Sequence, residues 1–334
     1  MGSSWNGCTQ GKFLHGALVL RAMTEELQSA ADVLMIRPLQ FAGNPQTAES
    51  NRFQHSAPHL SAAQVQAAAA REFETLAGAL RAAGVNVHAF DDTPQPHTPD
   101  SIFPNNWVSF HADGTVVLYP MLAENRRQER RADLLETISA RLGFRVARVL
   151  DLTHHEGGAK FLEGTGSLVL DRAHRIAYAC VSPRTDLDVL GDFAQQLDYD
   201  VVAFEAADAS GAPIYHTNVL MCIGARFAAI CPDCIRADER GAVLDALRRT
   251  GHELVELSME QLAAFAGNML ELRSARGTGV VAMSQTALDS LSAQQRATIE
   301  RLSGPIVASA IPTIETLGGG SVRCMLAEIH LPKK

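Results

Sequence analysis

The chain has 334 residues, of which 46% are apolar and 20% are charged, and it carries a formal net charge of −8 at pH 7. These proportions are typical of a soluble globular protein, and the negative charge argues against a nucleic-acid backbone as partner. The one apolar segment near the start, Ala17 to Leu20, is too short to cross a membrane. Length alone allows two domains or one large α/β unit.

Residues 1–31 show no hydrophobic alternation and begin Met-Gly-Ser-Ser, which indicates a leader that is poorly ordered or partly helical. We expect one helix in this leader, from Thr24 to Ala31, and a single domain from residue 32 to residue 334. The first elements predicted in that domain are a strand at Val33–Ile36, an alanine-rich helix at Ser61–Ala83 and a strand at Val85–Phe90.

From there on a unit recurs, in which a polar or glycine turn leads into a strand, a tight turn, a second strand and a helix. A near-constant period indicates one supersecondary unit that has been copied. The markers of the unit are spaced 60, 52, 50 and 52 residues apart, and they are Asn106, Gly166, Asn218, Asn268 and Gly320. The helices predicted in the first four copies are Arg127–Leu142, Asp186–Leu197, Ala237–Thr250 and Gln285–Leu302.

The fifth copy begins at Gly320 and lacks a helix of its own, but the first strand and the alanine-rich helix would complete it. Five units joined in this way would close a ring and bring the two ends of the domain together. Because the strands come in pairs, the pattern favours a five-fold α/β ring of ββαβ-type repeats over a doubly wound sheet, in which single strands alternate with helices.

In such a ring, the polar residues that open the units would converge on one pocket near the axis. A thiol, an imidazole and a carboxylate together support nucleophilic catalysis, in which the thiolate attacks and the carboxylate orients the proton-carrying imidazole. The alternative is structural, with asparagines as turn formers and a cysteine buried in the core. The opening residues are Asn105, Asn106, Glu163, His216, Asn218, Asn268 and Cys324.

Four motifs resemble the guanidino-group modifying superfamily, whose members include arginine deiminase, dimethylarginine dimethylaminohydrolase and the amidinotransferases. The motifs are Asp100–Asn106, Phe161–Leu170, Tyr215–Asn218 and Gly318–Cys324. The resemblance covers about Val33 to Pro332 and implies the pentein fold, a five-bladed pseudo-symmetric α/β propeller. Three further segments are most similar to the citrulline utilisation hydrolase branch, and they are Met35–Pro38, Asn44–Ala48 and Asn51–Gln54.

The resemblance implies that Cys324 is the nucleophile, His216 the general acid and base, and Glu163 the carboxylate that partners the histidine. Members that bind a cationic guanidinium hold it with two carboxylates, and this sequence has Asn106 and Asn218 at those two places. A guanidinium offers only donors and a permanent charge, whereas a neutral ureido group has donors and an acceptor that an amide can match. The asparagines at the two places where relatives have carboxylates therefore favour citrulline over arginine as substrate.

An amino-acid substrate also needs a partner for its carboxylate, and the planar fork of arginine suits that role. The candidates are Arg126, Arg127 and Arg184. For each of them, the alternative interpretation is a solvated arginine at the protein surface. Gly320, in the glycine run before Cys324, is expected to let the backbone approach the substrate closely.

No cofactor and no metal are expected, and the resemblance implies neither. His154, His155 and Glu156 could be taken for metal ligands, but neighbouring side chains in an extended segment point to opposite sides. The lone Cys231-Pro-Asp-Cys234 motif has no second pair to complete a zinc site. The cysteines predict reduced thiols in a cytoplasm. The expected partner is a small amino-acid substrate, without nucleic acid or membrane, and a homodimer is left open.

The predicted function is hydrolysis of the ureido group of citrulline, or of a close analogue, to ornithine, carbon dioxide and ammonia. One alternative is a deiminase or dihydrolase that acts on arginine, a methylarginine or a substituted arginine. The other is a catalytically silent binding protein built on the same fold.

Overall fold

The computed structural model describes residues 26–334, which form an α/β structure. The strands are β1 (Asp32–Arg37), β2 (Asn86–Asp91), β3 (Val108–Phe110), β4 (Thr115–Leu118), β5 (Arg148–Asp151), β6 (Val169–Asp171), β7 (Ile176–Cys180), β8 (Asp200–Phe204), β9 (Met221–Ile223), β10 (Phe227–Ile230), β11 (Glu253–Glu256), β12 (Leu270–Arg273), β13 (Gly279–Ser284), β14 (Ile306–Ser309) and β15 (Ala327–Ile329).

The helices differ widely in length, from four residues to twenty-one. They are α1 (Ala62–Ala82), α2 (Glu124–Arg127), α3 (Ala132–Ala140), α4 (Gly164–Ser167), α5 (Leu187–Leu197), α6 (Thr217–Leu220), α7 (Ala237–Arg249), α8 (Met259–Ala263), α9 (Gln285–Ser290), α10 (Ala293–Leu302) and α11 (Pro312–Gly318). Short 3-10 helices lie at Pro104–Asn106, Thr153–Gly158, Pro232–Cys234 and Val322–Met325.

The strands form five three-stranded sheets with the same pairing pattern, in which the middle strand is antiparallel to one neighbour and parallel to the other. A parallel neighbour requires a long crossover, and the helices supply it. Four sheets use consecutive strands, and they are β3-β4-β5, β6-β7-β8, β9-β10-β11 and β12-β13-β14. The fifth sheet joins β15 to β1 and β2, with Asp32 opposite Ile329.

The paired strands and the α/β class predicted from the sequence are confirmed, and the arrangement as a five-bladed propeller stays a prediction. The ββαβ repeat predicted from the sequence includes a strand after the helix, but no residues were assigned to this strand in the first four units, where β5, β8, β11 and β14 lie. The long helix expected at 285–302 is two helices, because Ser292 starts α10 with a capping box to Gln295. The helix expected at 127–142 is shorter, since α3 covers residues 132–140 and Arg127 is the last residue of α2.

The longest helix, α1, shows why the sequence folds as it does. Ser61 caps it, with its side chain accepting from the Gln64 backbone and its backbone N–H donating to the Gln64 side chain. Phe73, Leu76 and Leu80 follow at helical spacing and are fully buried. This face packs against β14 and α11, the helix that precedes Cys324.

Residues 26–31 form no helix, and the rest of the leader lies outside the described residues. Instead, Gln28 joins two sheets: its Nε2 donates to the carbonyls of Leu170 in β6 (2.8 Å) and Ile223 in β9 (3.2 Å). Its Oε1 accepts from the backbone N–H of Arg172 (2.8 Å). Ser29 Oγ donates to Glu271 in β12 (2.5 Å). The segment therefore ties three sheets together.

Within residues 26–334, no helix has both the length and the apolarity that crossing a bilayer requires.

Replacing Gln28 by alanine should lower the free energy of unfolding by about 2 kcal/mol, because three backbone groups lose their partner. Urea denaturation followed by circular dichroism measures this change. Gln294→Ala on the exposed side of α10 is the matched control and should change the stability by less than about 0.5 kcal/mol. Equal stabilities of the two variants would show that the segment contributes nothing.

Candidate active site

A small pocket lies where the turns that open the units meet. The 3-10 helix Pro104–Asn106 contacts both α4 and the 3-10 helix Val322–Met325, and α4 in turn contacts α6. The residues lining the pocket are Thr47, Asn51, Asp100, Phe103, Asn106, Arg126, Arg184, Tyr215, His216, Gly318, Gly319, Gly320 and Cys324. The thiol and the imidazole predicted to act together are thus brought to one cavity.

Cys324 lies in the 3-10 helix that follows the glycine run and is 4% exposed. Gly319 adopts a left-handed conformation (φ +59°) that ends α11, and a Cβ there would lie 2.6 Å from Asn51 Nδ2. The sulfur accepts amide hydrogens from Asn268 Nδ2 (3.3 Å) and Asn218 Nδ2 (3.5 Å). Two donors aimed at the sulfur stabilise negative charge on it.

His216 and Glu163 form a buried pair, with Nε2 2.9 Å from Oε2. The other carboxylate oxygen, Oε1, accepts from the Leu122 backbone N–H (3.0 Å). Burial alone would raise the pKa of Glu163, but Arg184, His216 and Arg126 outweigh it and hold that pKa well below its usual range. The carboxylate therefore stays ionised at neutral pH.

Burial lowers the pKa of His216 to about 4, even though the Glu163 carboxylate acts in the opposite direction. The imidazole is then neutral at pH 7. Because a carboxylate only accepts hydrogen bonds, Nε2 carries the proton and Nδ1 carries the lone pair. Nδ1 is thus the ring nitrogen able to take up a proton during a reaction.

Gly166 separates two side chains of the site. A Cβ on it would lie 2.4 Å from Asn106 Nδ2 and 2.7 Å from His216 Nδ1. The sequence analysis used Gly166 only to count the repeat, although a glycine at a repeat opening was the signal for a close approach. Asn106 Oδ1 accepts from Arg126 Nη1 (2.8 Å), whereas its Nδ2 is buried and has no hydrogen-bond partner in the described part of the chain.

Of the three arginine candidates, the structure brings Arg126 and Arg184 to the pocket. Arg126 is held by both oxygens of Glu129, each at 2.9 Å. Arg184 donates to Ser50 Oγ (2.6 Å) and the Thr47 carbonyl (3.3 Å), and its guanidinium lies 4.9 Å from the centre of the Tyr215 ring.

Three predicted substrate ligands are not among the residues that line the pocket, and they are Asn105, Arg127 and Asn218. Arg127 turns to the backbone carbonyls of Met121 (2.9 Å) and Leu122 (3.3 Å). Asn218 reaches the site through its hydrogen bond to Cys324 Sγ. Asn105 is fully buried, and within residues 26–334 neither polar atom of its side-chain amide has a hydrogen-bond partner. By contrast, Gly320 does line the pocket, as expected.

Asp100 is a pocket residue that the sequence analysis quoted in a motif without assigning it a role. Its Oδ2 accepts from Asn44 Nδ2 (2.8 Å) and Thr47 Oγ1 (3.3 Å). Its Oδ1 is buried and has no partner in the described part of the chain. A carboxylate just before a 3-10 helix of the site could have been recognised as an additional acceptor.

The expectation that the side chains of His154 and His155 point to opposite sides of an extended segment is wrong. The segment is a 3-10 helix and not an extended strand, so the two rings stack with centroids 4.2 Å apart. Both approach Asp192 of α5. Glu156, the third residue named, points elsewhere and accepts from the Met121 backbone N–H (2.9 Å) and from Arg130.

Residues 37–331 match the family model of N,N dimethylarginine dimethylhydrolase, eukaryotic. The chain belongs to this family. It is therefore a member of the guanidino-group modifying superfamily and a hydrolase that acts on C–N bonds, which confirms the resemblance seen in the motifs. A comparison with curated protein sequences finds no significant match.

Solved structures share the α/β fold of this dimethylhydrolase-family chain. The N-terminal domain of ArgZ, an arginine dihydrolase from cyanobacteria, is 17% identical with a TM-score of 0.68, covering 90% of this chain and 99% of that one. Unliganded AgrE is 18% identical with a TM-score of 0.69, covering 91% and 40%. A dimethylarginine dimethylaminohydrolase adduct with S-methyl-L-thiocitrulline is 14% identical with a TM-score of 0.58, covering 90% and 100%.

Replacing Gly166 by alanine in this family member should lower kcat/KM by about 100-fold or more, because the new methyl group displaces Asn106 and His216. Steady-state kinetics with the best substrate measures the loss. Gly241→Ala in α7 is the matched control, since a Cβ there meets no atom within 4 Å. Wild-type kinetics in the Gly166 variant would contradict the assigned packing.

The low pKa of His216 makes stability depend on pH. The unfolded histidine has a pKa of about 6.5, so the folded state favours the neutral form. The contribution of this shift to the free energy of unfolding is fully present above about pH 6.5 and falls as the pH approaches about 4. Between pH 7 and pH 5 the wild type should lose about 2 kcal/mol more than His216→Gln, which keeps a donor for Glu163. Urea titrations at both pH values test this, and exposed His59→Gln should behave like the wild type. Parallel losses in wild type and His216→Gln would refute the shift.

Proposed function

We propose that this chain hydrolyses the ureido group of citrulline, or of a close analogue, to ornithine, carbon dioxide and ammonia, with Cys324 as nucleophile on a five-bladed α/β propeller. The observation that carries the proposal is the set of groups around the sulfur. Within the described residues, the side chains hydrogen-bonded to Sγ are the amides of Asn218 and Asn268, and no carboxylate is among them.

The nearby carboxylate of Glu163 is already engaged by His216, by the Leu122 backbone and by Arg184. By contrast, the side-chain oxygens of Asn218 and Asn268 and the side-chain nitrogen of Asn106 are buried and have no hydrogen-bond partner among residues 26–334. These acceptors and this donor match a neutral group that has both hydrogen-bond types. A guanidinium beside the sulfur would be a buried cation among amides, which is costly without a carboxylate bonded there.

The first step forms a bond from Sγ to the ureido carbon and breaks one carbon–nitrogen bond. Neutral His216 takes the thiol proton and gives it to the departing nitrogen, which leaves a thiocarbamoyl group on Cys324. In the second step His216, held by Glu163, takes a proton from a water molecule while the oxygen of this water adds to the carbon of the thiocarbamoyl group. The sulfur then leaves and regains a proton, and the released carbamic acid decomposes to an amine and carbon dioxide.

The far side of the pocket suits the other end of an amino acid. Arg126 is occupied by both oxygens of Glu129, whereas Arg184 donates to a hydroxyl and a carbonyl and lies 3.4 Å from a single carboxylate oxygen, Glu163 Oε2. Arg184 is therefore the better ligand for the substrate carboxylate. Asp100 lines the same pocket, and its Oδ1, which has no partner among residues 26–334, can accept from the substrate ammonium.

An arginine-type substrate is the second candidate, and two observations favour it. The family model is that of a dimethylarginine hydrolase, and ArgZ, which shares the fold, is an arginine dihydrolase. In addition, Asp100 offers one free carboxylate oxygen to the pocket.

The deciding experiment measures release of ammonia, dimethylamine and ornithine from citrulline, arginine, dimethylarginine and succinylarginine. Citrulline should give the highest kcat/KM, and Cys324→Ala should lose about 10⁴-fold or more. Faster release of ammonia from arginine, or of dimethylamine from dimethylarginine, would overturn the substrate assignment. Full turnover by Cys324→Ala would overturn the mechanism. A silent binding protein would release neither ammonia nor dimethylamine from any of the four compounds.

A charge exchange sharpens the assignment. Asn218→Asp should weaken citrulline turnover and raise the ratio of arginine to citrulline activity by about tenfold or more, because a carboxylate pairs with a guanidinium. Gln294→Glu on exposed α10 adds the same charge far from the pocket and should leave the ratio unchanged.

A further inference from the structure

A histidine and carboxylate cluster lies outside the pocket, on the 3-10 helix Thr153–Gly158 and on α5. It consists of His154, His155 and Asp192. His155 Nε2 lies 3.0 Å and His154 Nε2 4.0 Å from Asp192 Oδ2. We propose that these three side chains form a binding site for a divalent transition-metal ion of the zinc class.

The spacing of the ligand atoms suits one ion. All three atoms lie within 4.8 Å of one another. In a tetrahedral zinc site with bonds of about 2.0–2.2 Å, the ligand atoms are about 3.3 Å apart. The observed distances to Asp192 bracket that value, so small side-chain rotations bring both imidazoles and the carboxylate onto one ion. Two histidines and a carboxylate are a ligand set that zinc commonly uses.

The tautomer of His154 is already the one that a metal requires. Its Nδ1 lies 3.1 Å from the backbone carbonyl of Asp151, which can only accept a hydrogen bond. Nδ1 therefore carries the proton, and Nε2 presents its lone pair toward Asp192. A ring nitrogen that donates to a backbone carbonyl while the other binds the ion is the usual arrangement around metal-ligating histidines.

His155 and Asp192 share a proton in the metal-free protein, since a carboxylate only accepts from Nε2 at 3.0 Å. For Nε2 of His155 to bind an ion, the ring proton moves to Nδ1, the other ring nitrogen. The exposure of His154, whose side chain is 64% accessible, gives the ion a path from solvent and leaves room for water as further ligand.

The site is separate from the reaction, because none of its residues lines the pocket. Its effect is mechanical: the ion would join the 3-10 helix to α5, two elements on either side of Glu163 in the sequence. The proposal does not depend on which substrate the pocket takes.

Isothermal titration of the full chain with ZnCl₂, in a Cys324→Ser background that removes the pocket thiol, tests the site. One zinc ion per chain should bind. His155→Ala and Asp192→Asn should each weaken zinc binding about tenfold or more, because loss of a ligand should cost at least as much as loss of a residue that hydrogen-bonds to a ligand. His59→Ala, at another exposed histidine, is the matched control and should bind as tightly as the background.

Binding that is unchanged in both ligand variants, or no zinc binding by the background protein, would overturn the proposal. Because the cluster lies at the surface, both variants should keep the circular dichroism spectrum of the background, which separates loss of a ligand from loss of fold. The readout is metal affinity, so its failure is distinct from failure of the proposed activity.

Discussion

The buried hydrogen bond between Glu163 and His216 is the interaction on which the rest of the site depends. A carboxylate that is 1% exposed is tolerated only because Arg184, Arg126 and the Leu122 N–H surround it. That ionised carboxylate fixes the proton of His216 on Nε2, and burial keeps the ring neutral. The ring nitrogen of His216 that can take up a proton is therefore set by Glu163 and by the groups that keep this carboxylate ionised.

The repeat explains how such a site can be assembled from distant parts of a chain. In four of the five units a short helix lies at the opening turn, and a polar residue in this helix or just before it reaches the site, whereas Asn268 of the fourth unit lies in a turn without a helix. The turns can meet only if some positions carry no side chain, as Gly166 does between Asn106 and His216. Close packing of the turns therefore requires small residues next to the polar residues of the site.

The sequence predicted the paired strands, the strand contributed by the chain start and the meeting of Cys324 with His216, because period and polarity are properties of local sequence. It missed strands such as β5 and β11, since their exposed, charged residues carry no hydrophobic alternation. It could not separate Arg126 from Arg127, because the direction of adjacent side chains is decided by where α2 starts. The relative direction of the His154 and His155 side chains was missed for the same reason. In the 3-10 helix the two rings lie close together, whereas an extended segment would place them on opposite sides. The catalytic roles of the site residues stay predictions.

The sheet formed by β15, β1 and β2 has a consequence for how the protein matures. β1 is made among the first strands, yet its partner β15 follows Cys324 at the far end of the chain. Contacts between residues some 300 positions apart are slow to form. The thiol of Cys324 is therefore made only after β1 to β14, and a fragment that stops before it has the histidine and the carboxylate of the site without the thiol.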